Sequence, residues 1–228
     1  VENFDAQKFS ISIPGSTRKI YPKTKNQAKL IQSFRKNDMV FATGPAGSGK
    51  TFLAVAESLR LLLSHKISSI ILVRPVVEAG ESLGFLPGDM QDKINPYLRP
   101  LYDSMSACIP SEMVKKFQEN GIIEVAPLAY MRGRTLSNAA VILDEAQNTT
   151  CEQMKMFLTR TGENSKVFIT GDVTQIDLPK KIPSGLVQAL EILKSIEEIS
   201  MVELDGEDVV RSPLVKKIVQ AYENDKSE

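Results

Sequence analysis

The sequence predicts an α/β fold, a parallel sheet flanked by helices on both faces. Three observations carry this. Apolar runs of strand length recur along the chain with little polar alternation, as strands buried on both faces require. Segments with helical periodicity separate them. Between one such strand and one such helix lies Gly44-Pro45-Ala46-Gly47-Ser48-Gly49-Lys50-Thr51, a complete phosphate-binding loop.

The elements follow in order. Phe9, Ile11 and Ile13 alternate before Pro14-Gly15-Ser16, which predicts a short hairpin. Thr24 or Asn26 caps a helix running to about Lys36, with Ala28, Ile31 and Phe34 on one face. Met39 to Thr43 is the strand that enters the phosphate loop. Thr51 to Ser64 is the helix that leaves it, with Phe52, Leu53, Val55, Ala56, Leu59, Leu62 and Leu63 at helical spacing. Ser69 to Val73 is a strand ended by Arg74-Pro75. Residues 79–110 carry Gly80, Gly84, Pro87, Gly88, Pro96, Pro100 and Pro110, and are expected to be long loop and short helix. Strands follow at 122–126, 140–144, 166–170 and 201–204, with helices at 150–161 and 183–196. Ser212-Pro213 opens a last helix, with Ser as N-cap and Pro at the first helical position. The expected organisation is one ATPase domain over 1–228, with 1–24 as an N-terminal hairpin or extension and 79–118 as a loop-helix insertion.

Composition narrows the function. Lys plus Arg total 28 and Asp plus Glu total 28, so a polyanionic partner must be met by a local basic face. Cys108 and Cys151 are too few and too far apart for a metal cluster or a disulfide framework. No apolar stretch approaches the length of a membrane span. The start at Val1 has no signal-peptide character, and a cytoplasmic protein is expected. Val1 is not Met, so the natural chain is free to begin earlier.

The chemistry expected of the loop is nucleotide binding. Its glycines let backbone N–H groups close around phosphate oxygens at a helix N-terminus. Lys50 reaches the β- and γ-phosphates, and Thr51 offers its hydroxyl to Mg²⁺. Val141-Ile142-Leu143-Asp144-Glu145 is an apolar strand ending in two carboxylates. Asp144 is assigned to holding Mg²⁺ through its water shell, and Glu145 to polarising the attacking water. The next strand ends in Gly171-Asp172-Val173-Thr174-Gln175, where the Gln175 amide is suited to bond both the γ-phosphate and that water. No Asn-Lys-x-Asp or Thr-Lys-x-Asp guanine reader is present, which favours ATP.

Asp144-Glu145-Ala146-Gln147 resembles the second motif of superfamily 1 helicases, and Gly171-Asp172-Val173-Thr174-Gln175 is similar to their third. Gln27 looks like their adenine-reading glutamine. Together with Val73-Arg74-Pro75-Val76-Val77-Glu78-Ala79-Gly80-Glu81, Leu83-Gly84-Phe85-Leu86-Pro87-Gly88 and Asp208-Val209-Val210-Arg211, the set resembles the PhoH family of bacterial ATPases, from about Gln27 to Tyr222. The resemblance implies a RecA-like P-loop NTPase core that hydrolyses ATP with Mg²⁺. It implies a role in RNA metabolism, beside an endoribonuclease or the ribosome, and a homo-hexameric ring. The nucleotide-binding set is then Gln27 and Gly44, Pro45, Ala46, Gly47, Ser48, Gly49, Lys50, Thr51 and Phe52. Unlike two-lobed helicases, these 228 residues hold one phosphate loop and are expected to form a single lobe. Arg211, on a loop before Ser212-Pro213, is therefore expected to act at a neighbour's site, or else to pair with Glu207 or Asp208.

Arg74, Arg99, Arg132 and Arg134 fit RNA phosphate contacts from strand-end loops, with Tyr130 beside them for base stacking. They fit solvated surface charge or subunit salt bridges equally. Two functions stay open: an RNA-linked ATPase, as helicase or remodeller, and an ATP-driven switch that regulates a partner nuclease or ribosome factor. A P-loop kinase fits less well, because the Gly-Asp-x-x-Gln element suits water activation.

Overall fold

The computed structural model describes residues 6–76 and 90–212, with positions 214, 215, 217, 218, 221 and 222 beyond them. Its centre is a six-stranded sheet in which every pairing is parallel. The strands are β3 (Met39–Thr43), β4 (Ser69–Arg74), β5 (Ile123–Pro127), β6 (Ala139–Leu143), β7 (Lys166–Gly171) and β8 (Ile199–Glu203), and their order across the sheet is β5-β4-β6-β7-β3-β8. All five residues of β6 are buried, and so are the middle residues of β3 and β4. Apolar side chains on both sheet faces are what make these strands read as continuous runs.

Four helices cover one face: α1 (Lys25–Lys36), α2 (Lys50–Leu63), α3 (Met90–Ser106) and α4 (Ser111–Glu119). Leu30, Ile31 and Phe34 from α1, Leu53 and Leu59 from α2, and Leu101 and Met105 from α3 join one core. The other face carries α5 (Cys151–Leu158) and α6 (Gly185–Ile192), which bury Met154, Phe157, Leu186 and Ala189. A two-stranded antiparallel hairpin, β1 (Ile11–Ser12) and β2 (Lys19–Ile20), pairs Ile11 with Ile20 and sends Ile11 and Ile13 into the first core.

Local chemistry sets several boundaries. Thr24, rather than Asn26, caps α1: its hydroxyl accepts from the Gln27 N–H. Thr150 and Gln153 form a capping box at α5, and Ser184 caps α6. Both helices end a turn earlier than their periodicity suggests. Ser212 Oγ accepts from the Val215 N–H, so its capping role holds, and the described positions from 214 to 222 are helical.

One expectation fails. Pro96 and Pro100 lie inside α3, a helix of 17 residues, where short helix and loop were anticipated. The two prolines stand about one turn apart, both exposed, and each removes one rung of the helical ladder. Leu98, Leu101 and Met105 bury the opposite face, and that packing outweighs the broken ladder. The motif stretches 77–81 and 83–88 lie outside the described residues.

Phe168 of β7 is fully buried, with its ring centroid 4.3 Å from that of Phe34 in α1. Phe168→Ala should cost ~3–5 kcal/mol of unfolding free energy, measured by urea denaturation with the slope of the transition unchanged.

Candidate functional site

The phosphate loop is held from both sides of β3. The Gly44 N–H donates to Gly171 O of β7 at 3.1 Å, and the Leu204 N–H, after β8, donates to Thr43 O at 2.7 Å. Gly44 has φ +146°, and a Cβ there would sit 2.5 Å from Leu204 O, so only glycine fits. The Pro45 carbonyl gathers the loop: it accepts from Ser48 Oγ at 2.8 Å and Lys50 Nζ at 3.0 Å. Helix α2 begins at Lys50, so its first N–H groups, which have no intrahelical partner, lie at the loop. Lys50 is buried. Desolvation pulls its pKa below the ordinary lysine value, and the charges of Asp144, Glu145 and Asp172 oppose that shift without cancelling it.

The carboxylates come from the neighbouring strand ends. Asp144 follows β6 and is buried. Its Oδ1 accepts from Thr51 Oγ1 and from Thr170 Oγ1, both at 2.7 Å, and its Oδ2 accepts from Arg74 Nη2 at 2.8 Å. Glu145 adopts a left-handed backbone, φ 53° and ψ 39°, and its carboxylate is half exposed. A left-handed non-glycine residue costs of order 1 kcal/mol and persists where its surroundings over-determine it. Here Gln147 does so. Its buried amide donates to Glu145 Oε2 and to Gln175 O, and its Oε1 accepts from the Asp172 N–H at 3.0 Å. Lys50, Thr51, Arg74, Asp144, Glu145, Asp172, Gln175 and Asp177 all line one cleft of about 400 Å³.

A divalent cation fits this cleft by its chemistry: the Thr51 hydroxyl and the Asp144 carboxylate, two hard oxygen donors, already touch at its wall. Gln147, Asp172 and Thr170, to which the sequence pattern assigns no such role, hold Asp144, Glu145 and Gln175 in place. The available signal was the position of Gln147 within the Asp-Glu-x-Gln run.

Beside the loop lies a second, mostly apolar pocket whose lining includes Tyr21, Gln27, Phe52, Leu53 and Val210. The Gln27 amide is already engaged: Oε1 accepts from the Lys23 N–H at 2.7 Å, and Nε2 donates to Ser48 O at 2.9 Å. Asp208 pins the last segment here. It accepts from Thr24 Oγ1, Asn26 Nδ2 and the Asp205 N–H. Burial pushes its carboxyl up, but these donors outweigh that and hold its pKa below the ordinary aspartate value. With its oxygens so used, Asp208 is no partner for Arg211, which is exposed and makes no ion pair or hydrogen bond to a described residue.

The arginines divide. Arg74 turns into the cleft rather than outward, because β4 and β6 are neighbours and Arg74 and Asp144 leave them side by side. Arg134 pairs with both oxygens of Glu124, at 2.7 and 2.8 Å, so its charge is neutralised locally. Neither is a free phosphate ligand. Arg132 and Tyr130 remain exposed. Burial pushes the Cys108 thiol up to about 12, which leaves it inert.

A family model described as PhoH-like protein matches residues 19–223. The chain belongs to the PhoH-like family. It is 59% identical over 206 residues to the PhoH-like protein of Bacillus subtilis, covering 90% of this chain and 65% of that one. It is 46% identical over 202 residues to Protein PhoH of Escherichia coli, covering 87% of this chain and 57% of that one. This PhoH-like chain thus spans about three-fifths of the length of the curated relatives it matches. Among solved structures, the large terminase of a thermophilic bacteriophage matches with a TM-score of 0.51 at 13% identity, over 86% of this chain and 49% of that one. That likeness is one of fold, and the fold is the RecA-like P-loop NTPase core. No helix among the described residues is long and apolar enough to cross a membrane.

Because the folded-state pKa of Lys50 lies below its unfolded value, the cost of burying its charge is fully present at neutral pH. It is relieved as pH rises through the folded pKa toward the ordinary lysine value. Lys50→Met should therefore raise the Tm of the nucleotide-free PhoH-like chain at pH 7, with the gain shrinking as pH climbs toward 10.5, the ordinary lysine value, and gone above it. Thermal melts across that range check both signs.

Proposed function

We propose that this chain is a Mg²⁺-dependent ATPase acting in RNA metabolism as a ring-shaped helicase or remodeller. The observation that carries the proposal is the convergence of Lys50, Thr51, Asp144, Glu145 and Gln175 on one cleft at the carboxyl ends of the strands. Thr51 and Asp144 would hold Mg²⁺, which would supply positive charge beside the nucleotide phosphates. Lys50 leaves the Pro45 carbonyl for the phosphates. Glu145, half exposed on a backbone that fixes its direction, accepts the hydrogen bond of the attacking water. Gln175, whose side chain bonds none of the described residues, bridges that water and the γ-phosphate. Gln27 and the apolar pocket around Phe52 take the base, so Gln27 must exchange the Lys23 N–H or Ser48 O for adenine.

The exposed Arg211 suits a site on a neighbouring subunit, where a head-to-tail contact closes into a ring of six. Arg132 and Tyr130 are the candidate contacts to single-stranded RNA. The internal pairing of Arg74 and Arg134 favours a second reading, an ATP-driven switch acting on a partner nuclease or ribosome factor without unwinding. Stimulation of ATP turnover by single-stranded RNA, lost in Arg132→Ala and at high salt, supports the first reading. A rate indifferent to RNA supports the second.

Glu145→Gln should keep ATP affinity and slow turnover by roughly 10²–10⁴-fold, whereas Lys50→Ala should lose both. Equilibrium binding and steady-state phosphate release separate the two, and near-normal turnover in Glu145→Gln would remove Glu145 from the reaction. Mixing Lys50→Ala with Arg211→Ala subunits should restore activity above either alone. Mixed assemblies seen by mass spectrometry without such rescue would place Arg211 outside the neighbour's site.

A further inference from the structure

Arg74 closes β4 with a guanidinium that spans two partners. Nε and Nη2 donate to Asp144 Oδ2 at 3.2 and 2.8 Å, with Nη2 also 3.6 Å from Glu145 Oε1. Nη1 donates to Tyr97 O, in the body of α3, at 2.7 Å. The two hydroxyls of Thr51 and Thr170 fill Asp144 Oδ1. Every face of the buried carboxylate that serves a cation is therefore already occupied, and the largest occupant is itself a cation. A divalent ion and a guanidinium have the same sign, and one carboxylate oxygen cannot hold both at contact without strong repulsion in a poorly hydrated site.

We propose that Arg74 is a positioning residue, an internal counter-cation that holds Asp144 while the site lacks a metal and gives way to the divalent ion that accompanies the nucleotide. This rests on the reading of Asp144 as a Mg²⁺ carboxylate. Its first consequence is thermodynamic. The ion must displace charge-assisted hydrogen bonds, so metal alone binds weakly, and metal with nucleotide binds better because the phosphates supply the missing ligands. Its second consequence is mechanical. The guanidinium that leaves Asp144 also loses its bridge to Tyr97, so the position of α3 responds to cation occupancy. Pro100 and Ser104 of α3 line the same cleft, which places that response at the site itself.

The test is a Mn²⁺ titration followed by electron paramagnetic resonance, with and without ADP. It compares wild type, Arg74→Ala, Arg74→Lys, Asp144→Asn and the Arg74→Ala/Asp144→Asn pair. Arg74→Ala should bind Mn²⁺ about ten- to a hundredfold more tightly than wild type, the range expected when a charged hydrogen-bonded competitor is removed. Arg74→Lys, with a single point charge that cannot span Asp144 and Tyr97, should lie between. The gain should vanish in the double variant. A purely structural arginine predicts the opposite, unchanged or weaker metal binding. Added Mn²⁺ should also restore the Tm lost in Arg74→Ala. Amide exchange over Tyr97–Met105 should quicken in Arg74→Ala and, in wild type, on adding Mn²⁺ with ADP; unchanged exchange in both overturns the coupling to α3. Wild type that takes up Mn²⁺ with ADP while neither Arg74 variant binds more tightly overturns the counter-cation role alone. Wild type that takes up no Mn²⁺ with ADP overturns the metal-site reading, and this role with it.

Discussion

The Asp144 carboxylate is the point on which the site is registered. It receives Thr51 from α2, Thr170 from β7 and Arg74 from β4, so four separate stretches of chain meet on one buried side chain. A buried carboxylate is tolerable only when its lone pairs are filled and its charge is matched. That requirement fixes the relative positions of the helix after the phosphate loop and three adjacent strand ends. It also means that the Asp144 charge is matched by Arg74 within the chain itself.

Strand order makes this meeting geometrically available. β7 lies between β3, which carries the phosphate loop, and β6, which carries the acids. The carboxyl ends of all three therefore open on one edge of the sheet, the side where parallel sheets leave a crevice. Gly171 ends β7 in close contact: a Cβ would lie 2.5 Å from Leu186 Cδ2 and 2.9 Å from Gln147 Oε1, so both side chains would have to shift. The close approach lets Gln147 tie the Asp144-Glu145 turn to the Asp172-Gln175 turn, so the groups assigned to water and phosphate move as one unit.

The rim is built by segments outside the sheet. Asp208 staples the 206–211 turn to Thr24 and Asn26 at the start of α1, and the Val210 N–H reaches Gly47 O at 3.4 Å. The phosphate loop is thus touched by Gln27 of α1, which donates to Ser48 O, and by Val210 ahead of the last helix, which donates to Gly47 O. On the opposite wall α3 contributes Pro100 and Ser104. Apolar packing under Leu101 and Met105 holds that helix in spite of its two prolines.

Features encoded by adjacent residues were legible in the chain. Buried parallel strands appear as apolar runs, the loop glycines as a spaced pattern, the cap of α1 as a polar side chain at Thr24 or Asn26 before a periodic segment, and Asp144 and Glu145 as charges where an apolar run stops. Each is set by contacts within a few residues, so sequence by itself determined the fold class, the loop and the acids. What the tertiary structure alone decided are choices among distant partners. Arg74 and Asp144 are 70 positions apart. Their pairing depends on β4 lying beside β6, which no local pattern states, and it turns an apparent surface cation into part of the cleft. The same holds for Arg134 with Glu124, for the Gln27 amide on Ser48, and for α3, whose prolines argue locally against a helix. In each case the deciding energy is burial or charge pairing between segments that only the assembled sheet brings together.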